Sequence, residues 1–231
     1  MKRTKMDKII DGVRTELDWP TLDSAHDQPF IRIISNPKDR SHIIYLPAGA
    51  EIMSADLDYL HEFGHALFCE RVHPIFAANA YFSQQTNKRD FQTIAPALSA
   101  AVDWFLSHWM VQKAPLKVKD QWRENLTLAE ELLQNSSVPP FEVFLDTALA
   151  IAQAIHFLHE PIDCGGVLQD AVQAMLDTPP DQPSAEACVS LVNKFLASAT
   201  PKRARLINDG EFDLWELYLP DEAHQETVPA S

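Results

Sequence analysis

Residues 6–18 place Ile9, Ile10, Val13 and Leu17 at helical spacing, so a short amphipathic helix is expected to open the chain, ended by Trp19 and Pro20. Two short β-like runs follow at 30–34 and 42–46, separated by the turn-forming stretch Ser35-Asn36-Pro37-Lys38-Asp39, which predicts a small hairpin or two neighbouring strands. From Ser54 onward the period changes to that of helices, expected at 55–72, 92–113, 117–135, 140–159, 166–177 and 185–199. Pro74, Pro139-Pro140, Gly165-Gly166 and Pro179-Pro180 punctuate them. Ser54 is suited to cap the first of these helices, and Asp56 and Asp58 suit the positive end of its dipole. A last apolar stretch at 212–219 reads as a strand or a docking segment, and 220–231 is polar and expected to fray. The pattern predicts an α+β fold: a predominantly helical domain with a small N-terminal β-sheet and a helical C-terminal half.

With 231 residues, 46% of them hydrophobic, the chain can bury a sizeable core as one domain spanning 1–231. Its net charge of -14 repels phosphate backbones and anionic lipid, and the one basic patch, Lys202, Arg203 and Arg205, reads as a solvated helix or loop end. Nucleic acid and membrane are therefore not expected partners. The N-terminal segment lacks an apolar signal core, and no run approaches the roughly 18 consecutive apolar residues of a membrane span. Cys69, Cys164 and Cys188 form neither a CxxC pair nor an even set, which points to a reducing cytoplasm.

Chemistry concentrates in His61-Glu62-Phe63-Gly64-His65, an HExxH sequence on the helix expected at 55–72. Two histidines four residues apart share one helix face and can reach one metal ion. Zn2+ with three protein ligands leaves a fourth position to water. Glu62, about 100° around the helix from His61, stands beside that face, where its carboxylate can act as general base. Leu60, Phe63 and Leu67 would bury the opposite flank.

The third ligand is not adjacent in sequence. Glu70 points about 180° from His61, and His73 could reach the ion only after a chain reversal. The metzincin pattern would need Gly at 68 and His at 71, where Phe68 and Arg71 stand. Asp103 is the better candidate: it is the only acid in an otherwise apolar stretch, 94–106, where a lone carboxylate is costly unless a cation or donors compensate it. Ser99, Asp103 and Ser107 form a polar stripe suited to face the motif helix, whereas capping or pairing with an Arg is the structural alternative for Asp103. His108 points away from Asp103; His156 and His159 lack a third ligand nearby; Cys69, Trp104, Phe105 and Trp109 read as core.

Strands, an HExxH helix and then a second helix with an acidic ligand resemble the zincin metallopeptidases of the gluzincin kind. The stretch Ala101-Val102-Asp103-Trp104-Phe105-Leu106 through Trp109-Met110 and Pro115 is similar to the corresponding helix of the intracellular ImmA/IrrE-like peptidases. The resemblance covers about 30–115, the expected metal-site core, and leaves a helical extension at 116–219. It implies cleavage of protein substrates, repressors among them. The family's glutamate ligand falls at Ser99, so either Asp103, one turn on, has taken its role or the site is incomplete. The expected function is a zinc-dependent hydrolase of the peptidase type, with His61, His65 and Asp103 on the metal and Glu62 as base. Its substrate would be a peptide or protein, presented by edge addition to a strand at 43–46. The alternative is a non-catalytic, zinc-stabilised regulatory or interaction domain.

Overall fold

A computed structural model describes residues 4–28, 30–47, 56–133 and 139–220. Helix α1, Lys5–Glu16, opens with a capping box in which Thr4 and Asp7 each accept the other's backbone N–H, and it buries Met6, Ile10 and Val13. Strands β1 (Thr21–His26), β2 (Arg32–Asn36) and β3 (Ser41–Pro47) form one sheet in the order β1-β3-β2. The expected hairpin is β2–β3, antiparallel, with Asn36 Oδ1 accepting from the turn amides of Lys38 and Asp39. Strand β1, which has no apolar alternation, is held parallel to β3 by backbone pairing, with Leu22 64% exposed. The strand expected to offer a free edge at 43–46 lies in β3, paired on both sides; the edge that faces the helices belongs to β2.

Helix α2, Asp56–Arg71, carries the HExxH sequence, and its expected cap Ser54 lies outside the described residues. Leu60, Phe63 and Leu67 are buried as their spacing requires. Helix α3, Lys88–Lys113, runs through Pro96 and is the central core element: Trp104, Phe105 and Leu106 are fully buried, and the Trp104 indole donates to the carbonyl of Thr178 at 2.7 Å. Around it lie α4 (Pro115–Leu133), α5 (Phe141–Gln153), α6 (Gly166–Leu176) and α7 (Ala185–Leu196). Helix α5 continues as a π turn, Ala154–Leu158, closed by His159 at φ 62. The span Phe141–Leu158 is apolar and long enough to cross a bilayer, yet half of it is buried in the fold, with Leu145, Ala148 and Ile151 in the core.

The 212–219 stretch resolves as a strand, β5 (Asp213–Tyr218), in an antiparallel hairpin with β4 (Arg203–Asn208). The basic patch straddles a loop end and a strand: Lys202 closes the loop before β4, whereas Arg203 and Arg205 lie in β4, and all three are only half-exposed. Lys202 pairs with the nearly buried Asp90, and Arg205 pairs with Glu216 across the hairpin while covering the ring of Tyr218.

Candidate metal centre

The site is set by how closely α3 crosses α2. Gly64, inside the HExxH sequence, faces Trp109 and Leu106; a Cβ there would come within 2.8 Å of the Trp109 ring. A larger residue would hold the helices apart, so the absence of a side chain at Gly64 is what lets α3 deliver Asp103 to the histidines. The HExxH pattern leaves position 64 open, and only the crossing partner shows why glycine suits it.

Asp103 Oδ1 lies 2.8 Å from His61 Nε2 and 3.5 Å from His65 Nε2, and the two imidazoles meet edge to face with centroids 4.6 Å apart. One donor atom from each of the three residues falls within 4.8 Å of the others. The cluster can coordinate a metal ion. His65, buried, donates from Nδ1 to the carbonyl of Phe76 at 2.9 Å, which turns Nε2 toward Asp103 and, in the neutral ring that a metal needs, leaves the lone pair on Nε2. The donor chemistry suits zinc: two imidazole nitrogens and one carboxylate oxygen, with one side open. Tetrahedral ligands at ~2.0–2.1 Å from zinc stand about 3.4 Å apart. The observed 2.8 and 3.5 Å bracket that spacing.

Burial pulls the His61 imidazole down, but the charge and hydrogen bond of Asp103 prevail and push it up to about 9. Burial likewise opposes ionisation of Asp103, yet His61 and His65 hold its carboxyl well below the ordinary range. The metal-free cluster is thus an imidazolium–carboxylate pair. Because the folded pKa of His61 is raised, the pair's contribution to metal-free stability is complete below about 6.5 and is lost as pH rises through about 9. Metal needs the neutral ring, so zinc uptake at pH 7–8 is expected to release a proton from His61. Affinity should then rise about tenfold per pH unit up to about 9. Calorimetry in buffers of different ionisation heat counts that proton directly.

Other sequence candidates fall elsewhere. Glu70, on the far side of α2, accepts from the amides of Asp18 and Trp19 and lies 2.7 Å from His42 Nε2. His73 caps the turn at Pro74–Phe76 and pairs with Asp213. His108 bonds Gln112, and Ser99 is exposed. Ser107 donates to the Asp103 carbonyl and accepts from the buried Gln153 of α5. Cys69 is core, and burial pushes its thiol up to about 12. Glu62 stands at the β2 edge: its Oε2 accepts from the backbone N–H of Ile33 at 2.7 Å, a contact no sequence spacing signals.

His61 and Asp103 open onto a cleft of about 560 Å³ between α2, α3, α4 and α5, with Met110, Trp122, Val143 and Leu149 among its apolar walls. Glu62 and His65 do not line it. No protein-family model, curated protein or solved structure matches the chain significantly. What the site does must be argued from its own chemistry.

Proposed function

We propose that the chain is a zinc-dependent hydrolase of peptide bonds, a gluzincin-like enzyme with an aspartate as third ligand. The observation that carries this reading is the convergence of His61, His65 and Asp103 within 4.8 Å, with His65 oriented from behind by the Phe76 carbonyl. A zinc ion held there supplies Lewis acidity toward a substrate carbonyl and acidifies a water molecule. His65 keeps its Nε2 available because Nδ1–H is committed to Phe76. Asp103 supplies the one negative charge among the three donors, and Ser107 with Gln153 braces the α3 backbone that carries it. Glu62 has one oxygen fixed by the Ile33 amide, which leaves Oε1 to accept a proton from the attacking water and pass it to the leaving nitrogen. The C–N bond breaks, the water oxygen ends on the carbonyl carbon, and the remaining acid proton is released.

The Ile33 contact also supports a second reading, in which Glu62 tethers α2 to β2 and the metal only stabilises a binding domain. Glu62→Gln separates the two, since an amide oxygen still accepts from Ile33 but cannot take the proton. In a hydrolase the variant is expected to keep about one zinc per chain and lose roughly 10²–10⁴-fold in turnover, read by metal analysis and a peptide-library cleavage assay. Equal cleavage by both proteins would remove Glu62 from the chemistry; zinc uptake without cleavage by either favours the tether.

A further inference from the structure

The site described above leaves open how a substrate reaches it, and two features of the fold bear on that. The first is the outward edge of β2, where an extended peptide would add as a new strand. That edge is already occupied: Ile33 N–H is bound by Glu62, Ser35 N–H by Asn79 Oδ1, and the Ser35 carbonyl by Asn79 Nδ2 and the Tyr81 hydroxyl. Both polar groups of Ser35 are satisfied internally, so strand addition there would have to break three hydrogen bonds.

The second is the cleft on the opposite side of the cluster, where His61 and Asp103 themselves form part of the wall. Its wall mixes apolar side chains with the uncharged polar groups of Gln121, Asn125, Thr147 and Gln153, and among the described residues its remaining ionisable lining groups are both acids, Asp58 and Asp146, with neither Lys nor Arg. Asp58 precedes His61 by three residues, so the two share a face of α2, while Asp146 approaches from α5. Both are exposed, and among the described residues neither makes an ion pair with Lys or Arg, while Asp58 adds its charge to that of Asp103 on His61. Two exposed carboxylates near the His61–Asp103 end of a partly apolar cleft repel a terminal carboxylate or a phosphate and favour an ammonium. In a peptide, an ammonium lies next to a hydrolysable carbonyl at one place only: the amino-terminal residue.

We infer that the cleft between α2, α3, α4 and α5 binds the amino-terminal residue of a peptide with an apolar side chain, the α-ammonium held by Asp58 and Asp146. The bond presented to the cluster is then the first peptide bond, and the activity is that of an aminopeptidase. This inference rests on the hydrolase reading for its chemistry but not for its binding, and the two can be tested apart.

Calorimetric titration of the metal-free full chain and of zinc-loaded Glu62→Gln, neither of which turns over substrate, is the experiment. The probes are leucyl-leucinamide, its N-acetyl form and glycyl-glycinamide. The free amine is expected to bind at least about tenfold tighter than the acetylated form and than the glycyl probe. In Asp58→Asn/Asp146→Asn, two exposed changes whose retained fold circular dichroism checks, the preference over the acetylated form should fall below about twofold. The inference is overturned if the acetylated or glycyl probe binds as tightly, if the amine preference survives in the double variant, or if leucyl-leucinamide shows no binding up to about 10 mM. Zinc content of the same samples keeps the readings distinct. One zinc per chain without amine preference rejects the cleft assignment alone. Amine preference in a chain that takes up no zinc rejects the hydrolase and leaves the cleft assignment standing.

Discussion

Asp103→Ala is expected to lose zinc altogether under conditions where the unaltered protein holds about one ion per chain. Two histidines on one helix turn make a weak bidentate site; the carboxylate from α3 adds the third donor and the only negative charge. Removing it should cost more than the roughly 10–100-fold in affinity that follows loss of an outer-shell partner alone. The variant also changes the metal-free protein in a way that can be read independently. With its partner gone, burial acts on His61 against only the smaller effects of the Glu62 and Asp58 charges, so the ring should fall from about 9 toward its ordinary range. Histidine resonances followed by NMR from pH 5 to 10 show that drop directly. The isosteric Asp103→Asn change keeps the packing and removes the charge, and should shift His61 in the same direction. Zinc retained by a folded Asp103→Ala chain would show that the third donor lies elsewhere. An unmoved His61 would contradict the pairing itself.

The second large effect concerns the opposite face of the same helix. Glu70→Ala is expected to destabilise the fold by about 3–5 kcal/mol in chemical denaturation, because it removes one partner from a buried polar network. The Glu70 side chain is 2% exposed and that of His42 0% exposed, with 2.7 Å between them. Glu70 also accepts the amides of Asp18 and Trp19, where the chain leaves α1 for β1. His42 therefore donates from Nε2 to Glu70 and, as the neutral ring, accepts at Nδ1 from the Ser35 hydroxyl at 2.9 Å. This is a serine–histidine–acid alignment, but with Ser35 and His42 each 1% exposed it binds β2, β3 and α2 together and admits no substrate. Burial lowers the His42 pKa more than Glu70 raises it. A lowered folded value means that the unfolded chain takes up the proton first. This contribution is accordingly present above about 6.5 and is lost as pH falls below it. A cost below about 1 kcal/mol for Glu70→Ala would show that the network contributes little to holding the sheet against α2.

Along the chain, the helices were legible because each buries a 3.6-residue stripe: Phe63 and Leu67 on α2, Leu145 and Ile151 on α5, Leu191 and Phe195 on α7. The β2–β3 hairpin was legible from its turn chemistry. Strands β1 and β4 were not. Thr21–His26 has no alternation to detect, since its stability comes from backbone pairing with β3. Basic residues mask β4: Arg205 within it is neutralised by Glu216, 11 residues on, and Lys202 just before it by Asp90, 112 residues back in sequence.

The candidate site divides along the same line. Helical geometry by itself dictates that His61 and His65 share a face, that Glu62 flanks it and that Glu70 points away, because each follows from 100° per residue within one element. The isolation of Asp103 among apolar neighbours marked it as a carboxylate in need of compensation. That His61 and His65 are what it meets was decided by the crossing of α2 and α3, 42 residues apart in sequence at the His61–Asp103 contact and drawn together at Gly64. The capping of the β2 edge by Glu62 and Asn79, the orientation of His65 by Phe76 and the acidic cleft beside the cluster are likewise tertiary. Each joins groups from different elements, and local periodicity carries information only about groups within one.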